Sequence, residues 1–287
     1  MPTGPVQQLL VAFELSLLLM GAFFVFRLAT NAAQRERWLE SNRLPKWPVT
    51  GAEFALFLLL MLGIGFLLQA AAQMLLRDYI TASDSRSGLE VFVYGAAFHG
   101  GVLLGWLLFP TLRRRWHFDY GAPPPSEEAA PKPAWPVPLY QAVGSLLVAL
   151  PVLIFFNLGW TVLLRELGLP EEPQDLIAIF ANTKSSLVLA GMLLVACGLA
   201  PLSEELMFRA GLYRFCRQRL GRATALLING VCFGALHGNW AGFLPLALLG
   251  VALSLAYEAT GDIRVPVIAH ALFNLNTVVI VLSGIPL

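Results

Sequence analysis

Three groups of polar residues stand where the chain is otherwise apolar, and their types are those that do acid–base chemistry. The first is Pro201-Leu202-Ser203-Glu204-Glu205-Leu206-Met207-Phe208-Arg209, where two adjacent carboxylates close an apolar run. Glu205 and Arg209 stand at i and i+4, on one helical face, and can pair. Glu204 lies about 100° round a helix from Glu205, so it can face a cavity while its neighbour is held by the arginine. The second group is Phe233-Gly234-Ala235-Leu236-His237, followed by Gly238, Asn239 and Trp240. The third is His270-Ala271-Leu272-Phe273-Asn274, whose histidine and asparagine share a face at i and i+4. Each has a plainer reading by itself: a charged helix end, an interfacial histidine beside a belt tryptophan, and an interhelical hydrogen-bond pair.

Taken together, Glu204, His237, His270 and Asn274 form a hydrolytic set. A carboxylate takes a proton from water and hands it on. A histidine orients that water. A second imidazole and an amide N–H stabilise the oxyanion that forms when water adds to a peptide carbonyl. No serine or cysteine nucleophile is required. Other polar positions are assigned less. His99, beside Gly100 and Gly101, reads as a helix-packing or bundle-facing residue, and His117, after an arginine cluster, as solvated. Glu14 and Glu53 fit an interface with no assigned role, and Asn157, Asn229 and Asn276 are candidates to bridge helices.

The elements that must position these residues are membrane spans. The chain has 287 residues, 57% hydrophobic and 13% charged, with a mean hydropathy of +0.69. A soluble domain carries about 25% charged residues, and the apolar residues here are gathered into long runs. At roughly 17–25 residues per span, the sequence predicts an all-α, polytopic transmembrane helix bundle of about eight spans. These are Leu9–Leu28, Phe54–Leu76, Leu89–Leu112, Leu139–Leu164, Leu187–Leu202, Ala223–His237, Gly242–Tyr257 and Val265–Val281. The fifth and sixth are short and need polar ends that lie inside the bundle. The stretch before Leu9 carries no Lys or Arg, so the first span is expected to stay as a span and not to be a cleaved signal peptide.

Loop charge sets orientation. Arg35, Arg37, Arg43 and Lys46 follow the first span, Arg113, Arg114 and Arg115 the third, and Arg214, Arg217, Arg219 and Arg222 the fifth, while Arg264 precedes the eighth. Alternation puts all of them on one side, and the positive-inside rule places both termini outside the cytoplasm. A proline-rich stretch, 121–138, reads as an extended cytoplasmic linker. It divides a three-span N-terminal unit (1–120) from a five-span C-terminal unit (139–287). Cys197, Cys216 and Cys232 lack metal or redox spacing and read as packing residues. A net charge of +1 gives no reason to expect nucleic acid as a partner.

EExxxR (Glu204, Glu205, Arg209), FxxxH (Phe233, His237) and HxxxN (His270, Asn274), in this order on successive apolar helices, resemble the CPBP family of intramembrane proteases. That family holds the type II CAAX prenyl endopeptidases and the bacteriocin-processing or immunity proteins of the Abi group. The resemblance spans roughly Leu187 to Val279. It implies a membrane-embedded endopeptidase in which Glu204 activates water with help from His237, Glu205 and Arg209 support that carboxylate, and His270 and Asn274 form an oxyanion hole. It implies a peptide or protein substrate, a membrane-bound one included, and a multi-pass location in the cell membrane. The family is described both as metal-dependent and as glutamate-dependent. Glu204, His237 and His270 could offer a zinc ion three ligands, but no HExxH helix is present, and an obligatory metal is not expected. The competing reading is a non-catalytic transporter, scaffold or immunity-type binding protein, since buried Glu and His also relay protons. No paired broken helices in two matching halves support it.

Overall fold

The computed structural model describes residues 4–33, 35–36, 42–115, 133–172 and 174–285. The proline-rich stretch before residue 133, with His117 and Arg37, lies outside the described residues. Among the described residues the architecture is helical, and we number nine helices: α1 (Pro5–Thr30), α2 (Gly51–Thr81), α3 (Arg86–Arg115), α4 (Val137–Glu166), α5 (Asp175–Asn182), α6 (Ser186–Leu220), α7 (Arg222–Leu236), α8 (Trp240–Thr260) and α9 (Arg264–Ser283). Seven of these, all but α5 and α7, are long and apolar enough to cross a membrane. The chain is a multi-pass membrane protein built as an all-α bundle.

Two spans differ from expectation. The fifth does not stop at Leu202 but continues as one 35-residue helix to Leu220. Arg214, Arg217 and Arg219 therefore belong to its last turns and not to a loop. Apolar run length ended the span at the carboxylates; the helix persists because those carboxylates are buried and partnered. The sixth, α7, has 15 residues, short of a full crossing at about 20. The short helix α5, in the loop after the fourth span, has no counterpart among the expected elements.

The bundle reverses the usual polarity of a protein. Apolar side chains such as Leu9, Phe23, Phe66, Met74 and Phe155 are exposed, while Ser203, Glu205, Arg209, Asn229, Ser254, Glu258 and His270 are buried. Lipid solvates the first set; the second set can only be satisfied by protein. Two of the asparagines do bridge helices. Asn229 on α7 donates to Ser254 Oγ on α8 at 2.7 Å, and Asn276 on α9 donates to Glu14 on α1 at 3.3 Å. Glu53 caps α2: its backbone N–H donates to Thr50 Oγ1 at 3.2 Å, its carboxylate accepts from the Thr50 N–H at 2.7 Å, and it pairs with Arg113 at 2.8 Å. Cys197, Cys216 and Cys232 are free thiols.

Small residues let the helices close. A Cβ on Gly101 or Gly105 of α3 would stand 2.6 Å from the backbone oxygen of Ile64 or Leu60 on α2. One on Gly21 of α1 would meet the Leu147 carbonyl of α4 at once. Gly100, one residue from Gly101, faces open space. Gly105→Ala should therefore lower stability by about 1–3 kcal/mol through backbone overpacking, and Gly100→Ala should be neutral or slightly stabilising. Thermal unfolding of the two variants in detergent checks this; equal midpoints would contradict the packing described.

Candidate active site

The site is built where α6 is irregular. Two π-helical segments, Val195–Leu199 and Phe208–Tyr213, flank the α-helical turn Ala200–Met207 that carries both glutamates. A π turn inserts a residue and shifts the face presented by everything after it, and such turns recur at functional sites. Pro201 lies just after the first, and Gly211 lies within the second, where a Cβ would stand 2.5 Å from the Phe57 ring.

Glu205 is fully buried, as is Arg209. The arginine Nη1 donates to Glu205 Oε1 at 2.7 Å and Nη2 donates to the Gly250 carbonyl of α8 at 3.2 Å. The same Glu205 oxygen accepts from His270 Nδ1 of α9 at 2.8 Å. One carboxylate oxygen thus ties α6 to α9, and its arginine ties α6 to α8. Glu204 is turned the other way. Its side chain is 19% exposed, and Oε2 lies 3.9 Å from His270 Nε2. That oxygen is buried and has no hydrogen-bond partner among the described residues. At 3.9 Å the contact is electrostatic and not a hydrogen bond.

Phe233 organises the rest. The Arg209 guanidinium lies 4.4 Å from its ring centroid, a cation–π contact, and the His270 ring meets it nearly edge-on at 5.6 Å. Its carbonyl lies 2.8 Å from His237 Nδ1. A carbonyl only accepts, so Nδ1 carries the proton and His237 Nε2 keeps its lone pair. The histidine sits at the C-cap of α7. Among the described residues no hydrogen bond joins it to Glu204; it reaches the cluster through Phe233, at 5.0 Å between ring centroids. Asn274 lies one turn past His270, and its amide donates to the Ala196 carbonyl, in the first π segment, at 2.7 Å.

Glu204, Glu205, Arg209 and His270 thus form one cluster, with His237 and Asn274 attached through Phe233 and through α6. Sequence reasoning missed two contributors. Phe233 was visible in the FxxxH spacing but not as the ring on which Arg209 and both histidines converge. His99, expected to pack or to face the bundle but given no part in the site, comes from α3: its Nδ1 lies 2.7 Å from Ser203 Oγ, and its ring is within electrostatic reach of Glu204 and His270. The only available signal was a histidine inside a span. No three His, Cys, Asp or Glu side chains among the described residues are gathered closely enough to hold a metal ion. The donor set as placed does not fit a zinc site, and no step below is routed through one.

Comparison with known proteins places this cluster in a recognisable segment. Residues 186–276 match the family model of "Type II CAAX prenyl endopeptidase Rce1-like" proteins, which bears out the resemblance carried by the three motifs. A relative, "Putative membrane peptidase YdiL" of Bacillus subtilis (strain 168), is 28% identical over 94 residues. That match covers 33% of this chain and only 38% of the relative's own length. No solved structure matches. The C-terminal segment therefore shares its pattern with membrane peptidases, and the family-model match begins at α6.

Removing one member of the buried Glu205–Arg209 pair leaves an uncompensated charge among apolar helices, at about 3–5 kcal/mol. We expect Arg209→Met to lose stability on that scale and the double variant Glu205→Leu/Arg209→Met to regain most of it. Denaturant unfolding in mixed micelles measures both. A double variant no more stable than the single one would show that the pair does not carry this charge balance.

Proposed function

We propose that this chain is an intramembrane endopeptidase that hydrolyses a peptide bond with a glutamate-activated water. The observation that supports this most directly is Glu204: a carboxylate oxygen buried without a partner, 3.9 Å from an imidazole whose far nitrogen is already fixed on Glu205. A group so placed is available to a water molecule, and the fixed neighbours give that water an orientation.

In this reading Glu204 takes a proton from water as the oxygen adds to the scissile carbonyl carbon. His237, with its Nε2 lone pair free, helps orient the water. The carbonyl oxygen becomes an oxyanion, stabilised by an Asn274 N–H and by the His270 ring. To donate to that oxygen, His270 Nε2 must carry a proton while its Nδ1–H stays on Glu205; Glu205 is already balanced by Arg209, so that positive charge is answered by Glu204 before the reaction and by the oxyanion once Glu204 has taken the proton. When the C–N bond breaks, the proton held by Glu204 passes to the leaving amine. Water is thereby divided between the two products: hydroxyl to the acyl carbon, hydrogen to the nitrogen. Glu205 and Arg209 take no part in bond making. They hold His270, and Arg209 also lies within electrostatic reach of Glu204. The substrate is a peptide or protein segment that reaches the membrane. A prenylated tail is the case suggested by the family's description, and the test below separates it from an unmodified one.

The test is cleavage by the purified, detergent-solubilised chain of fluorescence-quenched peptides carrying either a prenylated cysteine tail or no lipid. Glu204→Gln and His237→Ala should each lower the rate by roughly 10²–10⁴-fold with little change in thermal midpoint, since neither group anchors the Glu205 cluster. Prior dialysis against a chelator should leave the rate unchanged. Cleavage that survives both substitutions would reject these roles. Ion flux in proteoliposomes that is lost in Glu204→Gln, with no proteolysis, would favour a transporter.

A further inference from the structure

The contact between Asn274 and Ala196 has a cause in the chain itself. In an α-helix the Ala196 carbonyl would accept from the Ala200 N–H, four residues on. Here the Ala200 N–H donates instead to Val195, five residues back. The next N–H along the π turn would come from residue 201, which is proline and has none. Neither the α-helical nor the π-helical donor of the Ala196 oxygen is therefore available, and in an apolar bundle an unmet carbonyl is costly. The Asn274 amide meets it at 2.7 Å. Because a carbonyl oxygen only accepts, this contact also decides which way round the amide lies. The nitrogen faces α6 and spends one of its two hydrogens there, leaving the second for a ligand.

We propose that Pro201 is the positioning residue for Asn274: by withholding a backbone N–H from the Ala196 carbonyl, it makes that carbonyl the clamp that sets the amide. The catalytic consequence rests on the oxyanion role given to Asn274 above; the clamp itself does not. Pro201 is three residues before Glu204. The residue that sets the amide on α9 thus stands one helical turn before the water-activating carboxylate.

Two readouts test this. The first needs no substrate. Native chain, Asn274→Ala, Pro201→Ala and the double variant are compared by thermal unfolding in detergent. In the native chain Asn274→Ala orphans the Ala196 oxygen and should lower the midpoint by about 2–4 °C. In the Pro201→Ala background the restored N–H can take that oxygen, and the same substitution should cost less than half as much. Equal shifts in both backgrounds would overturn the clamp. The second readout is peptide cleavage. Pro201→Ala should lower kcat about tenfold with KM unchanged. Replacing residue 201 by lactic acid, whose ester link has no N–H and no ring, should keep kcat near the native value. If the lactic acid and alanine forms are equally slow, the ring and not the missing donor is what matters, and the proposal fails. If no form cleaves any peptide, the endopeptidase reading fails, and the unfolding comparison alone decides the clamp.

Discussion

A single buried carboxylate oxygen carries the site. Glu205 Oε1 accepts from Arg209 at 2.7 Å and from His270 at 2.8 Å, with both partners almost wholly out of solvent. Surrounded by lipid, an arginine or a glutamate is tolerated only if its charge is answered nearby, and here each answers the other. The partners sit on different helices, or grip them, so balancing the charge also fixes the relative positions of α6, α8 and α9. The Arg209 guanidinium is further held against the Phe233 ring at 4.4 Å, which draws in α7. Four helices are registered by one charge-neutralising contact.

Holding Glu205 so firmly is what leaves Glu204 free. Adjacent residues on a helix diverge by about 100°, so the groups that grip one oxygen of Glu205 cannot also grip the next carboxylate. Among the described residues Glu204 and Glu205 each keep one buried oxygen without a partner; what sets Glu204 apart is that no arginine there pairs with it and that its side chain is partly exposed while Glu205 is sealed in. The histidines follow a common logic. His270 gives its Nδ1 to Glu205, His237 its Nδ1 to the Phe233 carbonyl, and His99 its Nδ1 to Ser203. In each case one nitrogen is used by the protein and the ring is oriented through it, leaving Nε2 for other work.

Much of this was legible in the chain. The order of the long apolar helices followed from apolar run length, although seven and not eight of the described helices are long enough to cross and α5 had no signal there; the Glu205–Arg209 pair followed from i,i+4 spacing. The set of Glu204, His237, His270 and Asn274 followed from residue types, but its geometry did not: the π turn Val195–Leu199 shifts the face on which Glu204 stands, and nothing in apolar periodicity marks where a helix gains a residue. Apolar run length likewise ended the fifth span at Leu202; the need for polar ends inside the bundle was legible, but not that the helix runs on to Leu220. His99 was passed over because a lone histidine in a span has no spacing to interpret. Its meaning comes from Ser203, more than a hundred residues away.

The irregularity of α6 is better regarded as the device that builds the site than as a flaw tolerated by it. A regular helix through 186–220 would pair its carbonyls internally and offer a neighbouring helix only side chains. A helix interrupted by π turns and a proline offers backbone acceptors as well, and in lipid those acceptors must be met. The side chain that meets one is Asn274, drawn from the same face of α9 as His270. The requirement that no carbonyl go unmet in the membrane thus does part of the work of aligning two helices, and it acts one turn from the contact that the Glu205 charge already enforces. Two independent constraints, one of charge and one of hydrogen bonding, fix α9 against α6 at two heights. The unpartnered oxygen of Glu204 lies 3.9 Å from the His270 ring, which the first of these holds.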